Sequence, residues 1–340
     1  MKISKIMNQP EDYKRLGINP NKLEPWEDGI RGTDAAGQAE IWYLDCSFDD
    51  GSTLVLGTRT KSAAQQNKKG YNPNIAINYT KQGEPTFFDY RLYQDSQVSI
   101  SQQTCDLKFG PNYLVGEDFT HYNFHVEPEL DQEIVMEGKK SVQHKSKIDL
   151  HFDAETKPFR PGTGYITFGN VETYYNFICV TRLKVSGTIL IDGEQKAVSG
   201  SAYYNHQWSN ISPTVAFHHW LWGRQNIGKY SVLIYDMVAS QQFGLTQIPL
   251  FTIDDDQGNR LLEITDEKNV KIEMLDTYVQ QATNKEYPSD IRYTFSKGDI
   301  LVTYEIMQPT EINTIDIYGL ADDKQKQQFD AIQQQPTYTR

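Results

Sequence analysis

Three side chains spaced two residues apart, Tyr204, His206 and Trp208, could perform acid–base chemistry on an apolar molecule. Successive side chains of a β-strand point to opposite faces, so this spacing places all three on one face. An imidazole exchanges protons near neutral pH, and a phenol donates or accepts a hydrogen bond. The pattern indicates an aromatic pocket wall with a proton donor. The alternative is a packed core whose polar aromatic groups are hydrogen-bonded, which is the commoner role of an aromatic cluster.

The next predicted strand carries a second aromatic face, because Trp220, Trp222 and Arg224 alternate in the same way. A planar guanidinium could anchor a carboxylate or an enolate. Large aromatic side chains around a few polar groups are the usual composition of a small-molecule pocket. We therefore expect these two faces to form the wall of an apolar ligand site.

Glu40 is a candidate acid because it shares a predicted strand face with Trp42 and Leu44. Burial disfavours the ionised form of a carboxyl, so an inward position would raise the pKa of Glu40 and suit it to proton donation. The alternative is a carboxylate at a strand end, in water.

Asp236 is a second candidate acid, since it alternates with Val232 and Ile234 on an otherwise apolar face. The same desolvation would raise the pKa of its carboxyl. The alternatives are an ion pair with Arg224 or Lys229 across the sheet, or a wet strand end.

Short strands separated by frequent turns must position these residues. Asp192-Gly193 lies between two alternating runs and predicts a hairpin turn. Turn signals recur about every ten residues, and no useful helical periodicity precedes Gly200. The 21 tyrosines and 15 phenylalanines also favour strands. The chain is therefore predicted to be all-β, as a sandwich or barrel.

A chain of 340 residues is long enough for two domains. We expect residues 1–25, which are polar and contain three prolines, to be a leader that lies over the surface. Residues 26–208 are predicted to form a first β domain, and residues 209–340 a second. The second should end in a glutamine-rich tail that contains a short helix after residue 321.

The composition argues against several classes of partner. The net charge of −12 disfavours nucleic acid and anionic membranes, which select basic surfaces. No apolar run approaches the ~20 residues of a membrane helix, and none near the start resembles a signal peptide, so we expect a cytoplasmic protein. The three cysteines, Cys46, Cys105 and Cys179, predict buried thiols rather than disulfides.

Metal and cofactor sites are not expected. His121 and His125 share a predicted strand face but would lie ~13 Å apart, too far to bind one ion. His218 and His219 are adjacent and would point to opposite faces. The chain also has neither a dinucleotide nor a P-loop fingerprint, and no nucleophile elbow of the serine hydrolases.

Seven motifs in a fixed order resemble the lipocalin-like family that contains carotenoid 1,2-hydratase (hydroxyneurosporene synthase), the AttH-type proteins and lipocalin-like Diels–Alderases. The resemblance covers residues 26 to about 240. The motifs are WEDGIR (26–31), EIWYLD (40–45), DGSTLVLGTRTK (50–61), CDLKFGPNYLVG (105–116), FRPGTGYITFG (159–169), VSGTILIDGEQKAVSGSAYYNHQW (185–208) and HWLWGR (219–224).

This resemblance implies two lipocalin-like antiparallel β domains packed together, with a ligand cavity at or near their interface and no cofactor. The family's H-x-W falls on His206 and Trp208, and its W-x-W-G-R on the strand from Trp220 to Arg224. Where relatives show aspartate, this chain has Asn205, predicted to face away from His206. An amide cannot protonate an alkene as a carboxyl does, so this departure weakens the inference of hydratase chemistry.

Three functions are consistent with these features. The first is a cofactor-independent enzyme that hydrates, isomerises or cyclises an isoprenoid, polyene or polyketide-like molecule. His206, Tyr204, Asp236 and Glu40 would be its catalytic groups; the predicted ligand contacts are Trp42, Trp208, Trp220, Trp222, Arg224 and Asn205. The second is a carrier that binds a hydrophobic ligand in the same pocket without catalysis. The third is an interaction module whose aromatic residues are simply core.

Overall fold

The computed structural model describes residues 4–136, 139–141 and 144–340. About 52% of the residues lie in strands against 12% in helices, so the predicted all-β class is confirmed. Within the described residues, none of the α-helices has the length and apolar character needed to cross a membrane.

The first fifteen strands belong to the N-terminal part of the chain. In order they are β1 (Ser4–Ile6), β2 (Ala39–Phe48), β3 (Thr53–Arg59), β4 (Asn74–Thr80), β5 (Phe87–Leu92), β6 (Val98–Ile100), β7 (Asp106–Phe109), β8 (Asn112–Glu117), β9 (His121–Val126), β10 (Ile134–Met136), β11 (Lys139–Ser141), β12 (Lys147–Ala154), β13 (Tyr165–Phe168), β14 (Asn170–Ile191) and β15 (Glu194–Ser209). Strands β10 and β11 pair with each other, and the other thirteen form one curled antiparallel sheet, the main sheet.

The long hairpin of β14 and β15 lies at the centre of the main sheet, whose order is β5-β4-β3-β2-β15-β14-β12-β9-β8-β7-β6. Its turn is Asp192-Gly193, with φ angles of 51° and 78°. Two successive positive φ values define the type I′ turn that matches strand twist. The predicted hairpin is therefore confirmed.

The two faces of the main sheet have different partners. On the concave face, Trp42, Leu44, Tyr204 and Trp208 belong to one large apolar core. The residues between them on β2 and β15 point to the other face, where Tyr203 is part of a second core shared with the C-terminal strands. This alternation is the predicted one, and it follows from the two-residue period of a strand.

The N-terminal segment is partly built into the main sheet. Strand β1 pairs with β13, and Ser4 and Met7 are buried. A helix, α1 (Pro10–Leu16), follows it and ends at Gly17 in the left-handed conformation. This segment therefore does not simply lie over the surface, because the backbone of β1 is hydrogen-bonded to β13 as an additional strand. The predicted domain boundaries after residues 25 and 208 stay predictions.

The C-terminal part forms two packed sheets and a small pair of antiparallel strands. Helix α2 (Pro213–Ala216) leads into β16 (Phe217–Ile227), β17 (Tyr230–Ala239), β18 (Gln247–Asp255) and β19 (Arg260–Ile264), which pair in that order; a second sheet holds β20 (Val270–Gln280), β21 (Lys285–Lys297) and β22 (Ile300–Ile306). A third core fills the space between these two sheets. The tail contains β23 (Thr314–Ile315), α3 (Ile317–Leu320), α4 (Asp323–Ala331) and β24 (Tyr338–Thr339).

Two smaller predictions are also confirmed. The cysteines at positions 46, 105 and 179 are buried free thiols. The glutamine-rich tail contains the expected short helix, α4, which begins after the N-cap Asp322.

Candidate functional site

A short segment crosses the concave face of the main sheet, and we call residues 25–32 the strap. It begins with a 3₁₀ turn over Pro25–Asp28 and carries two buried carboxylates, Glu27 and Asp28. Arg160 donates to both carboxylate oxygens of Glu27, at 2.7 and 2.5 Å. A Cβ at Gly29 would lie 2.5 Å from the backbone of Gln102. Only glycine lets the strap lie this close to the loop between β6 and β7.

Beneath the strap, His206 and Glu40 form a buried pair. Nε2 of His206 lies 2.6 Å from Oε1 of Glu40, and Nδ1 lies 3.1 Å from the Glu27 carbonyl oxygen. Glu40 also accepts hydrogen bonds from the backbone N–H groups of Arg31, at 2.9 Å, and Gly32, at 2.7 Å. Both imidazole nitrogens thus face oxygen atoms, so whichever nitrogen carries the proton has an acceptor.

Asp28 completes this buried group. Its Oδ1 lies 3.6 Å from Nδ1 of His206 and accepts from the Tyr204 hydroxyl, while Oδ2 accepts from the Tyr122 hydroxyl at 3.0 Å. Burial raises the pKa of Asp28 to about 6, although the His206 charge and the two tyrosine hydrogen bonds oppose the rise. Such a carboxyl exchanges its proton near neutral pH. We call Asp28, Glu40, Tyr204 and His206 the acid cluster.

Two tryptophans flank the imidazole of the acid cluster. Trp42 stacks on His206 with ring centroids 4.4 Å apart and planes inclined by 12°, and Trp208 lies at 4.7 Å and 40°. The indole N–H of Trp42 donates to the Asp28 carbonyl oxygen at 3.0 Å, and that of Trp208 to the Tyr165 hydroxyl at 3.2 Å. Both indole faces can stabilise a nearby positive charge through cation–π attraction.

The structure brings together five of the predicted residues: Glu40, Trp42, Tyr204, His206 and Trp208. Glu40 is buried inside the main sheet, so its alternative placement in water at a strand end is wrong. The strand pattern did not reveal two residues at this site: Asp28, a member of the acid cluster, and Tyr122, which donates to it. The WEDGIR motif contains Asp28 and was the available signal for it.

Four other predicted residues lie on the opposite face of the main sheet. Trp222 packs edge-on against Tyr203, at 5.1 Å between ring centroids, and Trp220 joins the same core. Arg224 donates to Asp45 Oδ1 at 2.9 Å, and Asn205 donates to the Tyr203 hydroxyl at 3.1 Å. The expectation of one shared aromatic wall is therefore wrong, because a sheet separates Trp220, Trp222, Arg224 and Asn205 from His206.

Asp236 belongs to a third location, in the C-terminal sheets. It accepts from the Gln247 amide at 2.9 Å and from the Tyr293 hydroxyl at 3.2 Å. Burial raises the pKa of its carboxyl, as predicted, against these hydrogen bonds. The alternative ion pairs are wrong, since Arg224 binds Asp45 instead and the partners of Asp236 are neutral.

Neither described cleft coincides with the acid cluster. Two surface clefts of about 390 and 360 Å³ lie beside α4 and are lined mainly by polar residues. The contact between the main sheet and β17 is packed with apolar side chains. The predicted cavity at the domain interface stays a prediction. No cluster of three or more metal-binding side chains occurs among the residues that the structure describes.

Neither a family model nor a curated protein sequence matches this chain. Solved structures do match it. A proposed AttH from Nitrosomonas europaea is 15% identical, with a TM-score of 0.60 over 87% of this chain and 88% of that one. The chain has the lipocalin-like fold of the AttH-type proteins.

Two further structures share this fold. Kievitone hydratase from Nectria haematococca is 15% identical, with a TM-score of 0.52 over 88% of this chain and 89% of that one. CghA, solved with Sch210972, is 10% identical, with a TM-score of 0.59 over 88% and 86%. At identities this low the comparisons establish the fold. The resemblance that the motifs predicted is therefore confirmed for the fold.

Proposed function

We propose that this protein is a cofactor-independent enzyme that protonates a lipophilic small molecule of the isoprenoid, polyene or polyketide-like class. The outcome would be hydration, isomerisation or cyclisation. One observation carries the proposal: Asp28, a buried carboxyl whose pKa is raised to about 6, lies between two tyrosine hydroxyls and the His206–Glu40 pair. A protonated carboxyl in an apolar enclosure is a suitable general acid.

The chemical step needs only groups that this chain supplies. The π electrons of a substrate double bond form a C–H bond with the Asp28 proton, which leaves Asp28 as a carboxylate and the substrate as a cation. The indole faces of Trp42 and Trp208 would stabilise that cation. Hydration follows if a water oxygen bonds to the cation and returns a proton to Asp28. Isomerisation or cyclisation follows if a carbon-bound proton returns instead.

The structural neighbours support the broader part of the proposal, an enzyme that acts on a small molecule. One is named a hydratase, and CghA is a Diels–Alderase. The amide of Asn205 does not weigh against proton donation in this proposal, because Asn205 faces away from the acid cluster. The proposed proton donor is Asp28, whose carboxyl lies on the same face as Tyr204.

A carrier is the second candidate function, and one observation favours it. The side chains of Glu40 and His206 are completely shielded from solvent and hydrogen-bonded to each other. A ligand can reach them only if the strap moves. A protein that encloses a ligand beneath the strap without transforming it would have the same resting structure.

Incubation with a panel of isoprenoids, polyenes and fatty acids, followed by liquid chromatography–mass spectrometry, tests the proposal. A product heavier by one water indicates hydration, and an isobaric product at a new retention time indicates isomerisation or cyclisation. Asp28→Asn and His206→Ala should abolish turnover and leave ligand affinity intact. An unchanged compound that co-purifies with the protein, bound less tightly by both variants, would support the carrier instead.

A further inference from the structure

The side chain of Asn176 is buried without hydrogen-bond partners. It is 1% exposed, and among the described residues neither its amide oxygen nor its amide nitrogen is paired. Buried polar groups are paired in the large majority of native structures, and an unpaired one destabilises the fold. A buried amide with both groups free therefore indicates a partner that the protein alone does not supply.

The strand register places Asn176 beside the acid cluster. On β14 it lies opposite Trp208 of β15 and Tyr165 of β13, and Trp208 in turn lies opposite Glu40 of β2. Directly opposed residues share a face. His206 is opposite the next inward residue of β14, Ile178, so Asn176 and His206 are diagonal neighbours, ~7–8 Å apart between backbones.

The local backbone leaves room for the Asn176 amide. Gly164 lies against it with a φ of +84°, and a Cβ there would be 2.9 Å from both the amide nitrogen and the amide oxygen. The aromatic rings of Tyr165 and Tyr174, whose centroids are 4.9 Å apart, are only partly buried and line the same face. Aromatic rings thus line the face of β14 on which the amide lies.

We propose that Asn176 recognises the polar end of the ligand, an inference that rests on the ligand site of the enzyme proposed above. A side-chain amide presents one donor and one acceptor side by side. Its complement is a group that accepts and donates in the same plane, such as a neutral carboxylic acid or a primary amide. The ligand would be an otherwise apolar molecule with this group close to the carbon that Asp28 protonates.

Two probes with a ten-carbon acyl chain test the pairing: decanamide, which accepts and donates, and methyl decanoate, which only accepts. Titration calorimetry should show that the wild-type protein binds decanamide about tenfold or more tightly than the ester. Asn176→Leu should remove this preference, because leucine can pair with neither group. Asn123→Leu, a matched change at an exposed position of β9, should leave the preference unchanged.

Thermal unfolding separates recognition from a structural role. If the amide serves a ligand, Asn176→Leu is at least as stable as the wild type, since an unpaired polar group has been replaced by an apolar one. A less stable variant with an unchanged preference would overturn the inference, and so would a wild type that binds the probes equally or not at all. A preference that Asn176→Leu removes, in a protein that converts no compound of the substrate panel, would uphold the recognition role and reject the enzyme.

Discussion

His206 and Glu40 meet diagonally across β2 and β15, with Nε2 and Oε1 2.6 Å apart and both side chains shielded from solvent. In the ladder His206 is opposite Trp42, and Glu40 is opposite Trp208, so each member of the pair has a tryptophan as its cross-strand neighbour. The contact therefore combines charge with aromatic packing. A pair of this kind is costly to break by removing one partner, because the other charge stays buried.

Glu40→Gln should lower the free energy of unfolding by about 1–3 kcal/mol, because a buried carboxylate that faces His206 and accepts from the backbone N–H groups of Arg31 and Gly32 is replaced by an amide with one acceptor oxygen. Urea unfolding at pH 7 measures this. The control is Glu194→Gln, which breaks the exposed pair with Lys81 and should change stability far less, because water screens this pair. Equal stability of the wild type and Glu40→Gln would show that the pair is neutral overall.

Turnover should depend on pH through Asp28. Its acid form donates the proton, and the pKa is raised to about 6, so kcat should fall about tenfold per pH unit above that value. Asp28→Asn carries no such proton and should lose turnover at every pH. A pH–rate profile of the wild type from pH 4 to 9 measures the descending limb. A flat profile through pH 6 would remove Asp28 from the acid role.

The same carboxyl should make stability depend on pH. The folded pKa of about 6 lies above the ordinary pKa of an aspartate, 3.8, so between these values the folded chain binds more protons than the unfolded chain. The contribution of this group to the free energy of unfolding therefore falls by up to about 3 kcal/mol as pH rises from about 4 to about 6. Above that pH it stays constant. Asp28→Asn should lack this component. Unfolding curves of both proteins at pH 4, 5, 6 and 7 provide the comparison.

The ion pair between Arg160 and Glu27 should couple the strap to the main sheet. Arg160→Met leaves Glu27 buried and unpaired, and Glu27→Gln leaves Arg160 without its counter-charge. Each single change should destabilise the fold. The double variant should be more stable than the sum of the two losses predicts, by about 0.5–3 kcal/mol. Strictly additive losses in a double-mutant cycle would argue that the strap is held by its other contacts.

Asp236→Asn should leave turnover unchanged, because Asp236 contacts Gln247 and Tyr293 rather than the acid cluster. Burial raises the pKa of its carboxyl, so the ionised form destabilises the folded state. The asparagine variant should thus gain stability relative to the wild type as pH rises through the range between the unfolded and folded pKa of this carboxyl, and keep that gain at higher pH. A loss of turnover as large as that of Asp28→Asn would place Asp236 in the mechanism after all.

Strand alternation was enough to predict which residues share a face. It placed Tyr204, His206 and Trp208 together, and Glu40 with Trp42, because a two-residue period needs no tertiary information. Alternation could not predict which part of the protein packs against each face. The main sheet is covered on both sides, so the faces of His206 and Trp222 ended in different cores.

Strand alternation could not predict the role of Asp28, because that role also depends on tertiary contacts. It lies in a 3₁₀ turn, and its burial depends on the strap closing over strands that lie far along the sequence. Its hydrogen bond to Tyr204 spans 176 residues. No local periodicity encodes such a contact, and only the resemblance carried by the WEDGIR motif pointed to this segment.

The strap has a consequence for how the chain folds. Its carbonyl at Glu27 is 179 residues from the imidazole of His206 that it meets. At a synthesis rate of about 5–20 residues per second, the strap leaves the ribosome roughly 10–40 seconds before β15 does. The acid cluster therefore cannot form until the central hairpin is complete. Contacts of such high sequence separation are also the slow ones in folding, so the acid cluster should be among the last features to assemble.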